Sequence, residues 1–133
     1  MNLDYFIDRF SQNRGVFENL IRGVSLEQAR RKPSPDKWSM LEVVNHLYDE
    51  EREDFHQRID LVLADPTQSW PPIDPRTWVT TRGCNKRELD ISLSNFIVER
   101  EKSLAWLKQL SEPNWQDTNE GPTLTIDLKE AVR

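Results

Sequence analysis

The segment from Ser39 to Ala64 constrains the fold more than any other part of the chain. Leu41, Val44, Tyr48, Phe55, Ile59 and Val62 recur across it at three-, four- and seven-residue steps, the period of one face of an α-helix. Ser39 and Glu42 have the spacing of a capping box, and Asp65-Pro66 closes the segment. A helix this long with a single apolar stripe buries that stripe only against other helices. The expected class is therefore all-α.

The flanking segments repeat the pattern. Residues 3–22 read as helix one, with Leu3, Phe6, Phe10, Phe17, Leu20 and Ile21 on one face and Gly23 as its stop. Ser25-Leu26-Glu27-Gln28 has capping-box spacing and starts one short turn, which Pro33 and Pro35 break. Helix three is expected from about Asn85, where Asn85-Lys86-Arg87-Glu88 resembles another box. Its stripe is Leu89, Leu93, Phe96, Leu104, Leu107 and Leu110. Arg100 falls on that stripe, where it either snorkels or pairs with a carboxylate inside the bundle. Ser111-Glu112-Pro113 ends the helix, and Trp115 sits in the turn that follows.

Residues 65–84 carry Pro66, Pro71, Pro72 and Pro75 together with Trp70 and Trp78. So much proline argues against a helix, and two tryptophans argue against a floppy linker. The segment reads as an ordered crossover loop pinned to the bundle. After Gly121-Pro122, Thr125 is an expected N-cap and Asp127 lies in the first turn. Leu128 and Val132 begin a stripe that stops with Arg133.

The chain thus reads as one domain over residues 1–133, a four-helix bundle with a long crossover loop and a truncated fourth helix. Each missing apolar anchor is worth roughly 1.5–3 kcal/mol, against total stabilities of about 5–15 kcal/mol. The expectation is that these residues belong to a longer protein, or that a partner chain, as in a homodimer, covers the open groove.

Charge narrows the partners. The formal net charge is −5, and the basic runs Arg30-Arg31-Lys32 and Lys86-Arg87 are short. Nothing here attracts a nucleic-acid backbone. No apolar run reaches the roughly 18 residues of a membrane span, and no signal peptide opens the chain. Cys84 is the only cysteine, which forbids an internal disulfide and suits the cytoplasm. It reads as a loop residue without a special role. With four glycines there is no phosphate-cradling loop.

His46 is the residue with the most chemistry. On the helical wheel it lies nearly opposite the apolar arc, among Glu42, Asp49, Glu50, Glu53, Gln57 and Asp60. One reading is a surface histidine in an acidic stripe. The other is a metal ligand in a water-filled pocket, since imidazole with carboxylates suits Zn, Ni, Fe or Mn. Glu50, four residues on, faces the same way as His46, and Glu53 is a second candidate. His56 is too far along the helix to share an ion with His46 and reads as a surface residue.

Lys37-Trp38-Ser39, Glu42-Val43-Val44, His46-Leu47, Glu50-Glu51-Arg52-Glu53 and Phe55 together resemble the DinB-like superfamily. Trp70-Pro71-Pro72-Ile73-Asp74-Pro75, Glu99-Arg100 and Trp106-Leu107 are similar to one branch of it. The resemblance implies a four-helix bundle, often dimeric, with a divalent metal held by three histidines. One comes from helix two and matches His46. The other two form a His-x-x-x-His pair in helix four, which would follow Leu128 to Arg133 and is absent from this chain. The implied activity is that of a metal-dependent hydrolase or a thiol-dependent S-transferase using a low-molecular-weight thiol, with Glu50 or Glu53 shuttling protons. The alternative is a non-catalytic dimeric bundle, a stress or binding protein with a vestigial metal site.

Overall fold

The capping boxes set the element boundaries. The computed structural model describes residues 3–111 and 113, which are helical throughout with no strand among them. Helix α1 spans Leu3–Ile21 and ends at Gly23, whose φ of 83° is the left-handed region that glycine tolerates. Helix α2, Leu26–Arg30, is the single turn expected. The Ser25 hydroxyl accepts from the Gln28 N–H, and the Gln28 side chain accepts from the Ser25 N–H. Helix α3, Met40–Glu50, opens on the same reciprocal pair between Ser39 and Glu42. A π-helical turn, Glu51–Phe55, interrupts it, and α4, His56–Ala64, continues the rod. Helix α6 spans Leu89–Gln109.

Three elements depart from the expectation. The proline-rich crossover contains a helix, α5, Pro75–Thr81. Pro75 occupies the first turn, where a missing N–H costs nothing, and the Asp74 carboxylate accepts from the Thr77 N–H. Asn85 does not cap α6. It lies in a 3-10 turn, Cys84–Lys86, and its side chain accepts from the Ser39 hydroxyl at 2.7 Å and donates to the Arg30 carbonyl. In α1 the buried positions are Ile7 and Ile21, while Phe6 and Leu20 are exposed.

The packing partners give the topology. Helix α6 packs against both α3 and α1. Phe17 meets Phe96 edge-to-face, and Phe10 lies under the guanidinium of Arg100, so α1 and α6 run antiparallel. Asn45 bonds Ser92, Glu51 pairs with Arg100, and His56 stacks on Trp106, so α3–α4 and α6 run parallel. Parallel neighbours need a long return, which is the crossover through residues 65–88. Its tryptophans do pin it: Trp70 lies under Arg58 and Trp78 under Arg82, each within 4.5 Å of the ring centre.

The apolar core is split. Ile21, Ala29, Leu41, Val44 and Leu89 pack at one end, and Ile7, Leu104 and Leu107 at the other. The layer between them is largely polar, and the candidate site belongs to it. The expected fourth helix, with Trp115, Thr125, Asp127, Leu128 and Val132, lies outside the described residues.

Candidate functional site

Five of the six residues Asp49–Asp54 are acidic, and most of them are inside the protein. Asp49 is 1% exposed, Glu51 2%, Asp54 5% and Glu50 8%. Glu42 is also buried. The acidic stripe expected at the surface is therefore interior, because other elements bring cations to it. Lys32 reaches Glu42 at 2.9 Å, Arg82 from the crossover reaches Asp49 at 2.8 Å, and Arg100 from α6 pairs with Glu51. Asp54 pairs with Arg58. Arg100 thus takes the second of its two expected roles, pairing inside the bundle with its side chain sealed from water.

Glu53 is fully engaged. Both of its oxygens accept from Arg82, at 2.9 and 2.8 Å, and Arg52 bonds it as well. The Arg82 bonds hold its carboxyl below the usual range, so it stays ionised and is unsuited to proton transfer. Glu50 is the exception. Among the described residues no Lys or Arg lies within ion-pair distance of it. Burial first, then the hydrogen bond and charge of Asp54, push its carboxyl up to about 7.

Glu50 faces His46. Nδ1 of His46 and Oε1 of Glu50 are 3.6 Å apart, and both are buried without a hydrogen-bond partner among the described residues. The imidazole is about a quarter exposed, with the Trp38 ring packed on it at 4.8 Å. Burial lowers its pKa, partly offset by Asp49, and so favours the neutral ring that a metal requires. His46 is thus half-buried beside an uncommitted carboxylate, between the two readings that periodicity left open.

The sign of the Glu50 shift fixes a pH dependence. The carboxyl is easier to protonate folded than unfolded. Its contribution is full below about 4.5 and lost as pH rises through about 7. Chelator-treated protein is expected to lose about 2 kcal/mol over that interval through this group, and Glu50→Gln to remove that part of the slope. Urea denaturation of both proteins at pH 5 and pH 8 checks it. Identical pH slopes would mean that Glu50 titrates normally.

His56 is half-buried where a surface residue was expected. Its ring stacks on Trp106 at 4.2 Å beside an apolar cavity of about 200 Å3 bordered by Phe6, Phe10, Phe55 and Ile59. Cys84 is fully buried, and burial raises its thiol pKa, which rules it out as a ready nucleophile.

A divalent ion takes imidazole nitrogen and carboxylate oxygen, and His46 and Glu50 set one group of each kind side by side. No group of three or more His, Cys, Asp or Glu side chains among the described residues is arranged to hold an ion.

No curated protein sequence matches the chain significantly. A solved structure from Bacillus subtilis, YfiT, described as a probable metal-dependent hydrolase with an unusual four-helix bundle topology, superposes with a TM-score of 0.72 at 19% identity. The match covers 83% of this chain and 62% of YfiT, and at that identity it shows the shared fold. No helix among the described residues is long and apolar enough to cross a membrane. The sequence model of the DinB superfamily matches residues 9–133, nearly the whole chain. The chain belongs to the DinB superfamily.

Proposed function

We propose that this chain forms the metal-binding bundle of a divalent-metal-dependent enzyme, of the hydrolase or thiol-dependent transferase type, with His46 as a ligand. The observation that carries the reading is the half-buried imidazole of His46, which burial biases toward its neutral form and which faces the buried Glu50 carboxyl at 3.6 Å. The description of YfiT as a metal-dependent hydrolase supports the same reaction class.

A bound divalent ion lowers the pKa of a water or thiol and so supplies a nucleophile at neutral pH. The chain's own residues prepare for that. Trp38 covers the imidazole and limits its contact with water. Arg82 neutralises Asp49 and Glu53 together, so their charges do not raise the His46 pKa unopposed. Leu41 and Val44 fix the start of α3 in the core, and the Ser39 box fixes its first turn, so His46 is carried on a rigid element.

Calorimetric titration of the full-length protein with Zn2+ and Ni2+ tests the reading. His46→Ala is expected to bind at least about tenfold more weakly than wild type. Equal affinities would remove His46 from the site. Assays of activated acyl esters with and without a small thiol then separate hydrolysis from thiol transfer.

A further inference from the structure

His46, Glu50, Asp54 and Arg58 are spaced four residues apart and form one continuous ladder along the α3–α4 rod. His46 Nδ1 faces Glu50 Oε1, Asp54 stands near enough for its charge to act on Glu50, and Asp54 pairs with Arg58. Arg58 in turn lies over Trp70 of the crossover, 4.5 Å from its ring centre. Glu50 is the informative rung. It is more than nine-tenths buried, and its Oε1 has no partner among the described residues other than the imidazole it faces. The gap of 3.6 Å is about half an ångström beyond hydrogen-bond length, a distance that a small side-chain rotation closes. Glu53 and Asp49, the other carboxylates in reach by sequence, are both paired with Arg82, and of the described carboxylates Glu50 is the one within ion-pair distance of the imidazole.

We infer that Glu50 is a positioning residue for His46: it accepts a hydrogen bond from Nδ1–H, fixes the imidazole tautomer and leaves Nε2 as the donor atom. A ligating histidine commonly donates its second ring N–H to a carboxylate, which sets the ring's orientation and raises its basicity. The role toward a metal rests on the proposed function; the tautomer does not.

The tautomer is read by nitrogen-15 NMR of the two histidines in metal-free protein at pH 8.5, with His56→Gln assigning the signals. His46 is expected to carry its proton on Nδ1 in wild type. Glu50→Gln keeps a carbonyl that accepts this proton and is expected to preserve the tautomer. Glu50→Leu is expected to move the proton to Nε2, the form preferred by an unconstrained ring. Zn2+ affinity is expected to fall about 10- to 100-fold in Glu50→Leu and to stay near wild type in Glu50→Gln. The same tautomer in wild type and Glu50→Leu overturns the inference. So does the Nε2–H form in Glu50→Gln, which keeps the shape of the native side chain. Zn2+ binding that ignores His46→Ala overturns the metal reading instead, and leaves the tautomer result to stand by itself.

Discussion

Arg100→Leu is expected to destabilise the fold by about 3–5 kcal/mol, read as a lower urea midpoint at constant slope. Arg100 is 5% exposed and its partner Glu51 2%, so the pair is sealed from water in the layer between the two apolar clusters. Removing the cation leaves a carboxylate in a place that cannot solvate it. The guanidinium also stacks on Phe10 and Phe96, which adds packing to the loss. The double variant Glu51→Leu/Arg100→Leu is expected to recover most of the stability, because apolar replacements of a buried pair are often neutral or better. The exposed pair Glu18–Arg22 gives the scale of the opposite case, worth about 0.3–0.5 kcal/mol at i,i+4 spacing. An Arg100→Leu effect of that size would show that the bundle opens to water at this layer.

Phe96→Ala is expected to cost about 3–5 kcal/mol in the same measurement. Phe96 is 1% exposed and stands at the middle of α6, next to the polar layer. Its ring meets Phe17 edge-to-face at 5.5 Å, so truncation removes one of the contacts that join α1 to α6 as well as leaving a cavity. Phe55→Ala is the control. Phe55 is 46% exposed, and its loss is expected to be far smaller. Comparable losses at both positions would mean that Phe55 is covered in solution.

Local chemistry was legible in the sequence. The boxes at Ser25 and Ser39, the stop at Gly23 and the end at Asp65-Pro66 depend on neighbours within a few residues, and each is found where the spacing puts it. The same kind of signal was present at Asp74-Pro75, an N-cap followed by proline in the first helical turn, but the density of prolines around it obscured α5. The site was harder to read. Periodicity counts apolar residues, and it therefore placed Glu42, Asp49 and Glu50 on the outside. Their burial depends on Lys32, Arg82 and Arg100, which lie far away in sequence and meet α3 only after folding. The π-helical turn at Glu51–Phe55 adds to this. Its wider turn shifts the phase of the helical face, so a stripe projected at a constant 100° per residue fits Leu41 and Val44 and misses Phe55 and Ile59, which are exposed. His56 was misplaced for the same reason, since its partner Trp106 comes from the other end of the chain.

The coupling between these features bears on function. The buried acids on α3 are each assigned a cation except Glu50, and Glu50 is the one that faces His46. A purely structural polar layer would gain from pairing Glu50 as well. Leaving a carboxylate with a pKa of about 7 beside a neutral imidazole costs stability, and such costs concentrate at working sites.

Metal analysis of the full-length protein purified without chelators, wild type against His46→Ala, is the most direct test. The proposed function predicts a divalent metal near one equivalent in wild type and little in the variant. Equal metal in both, or none in wild type, would contradict it.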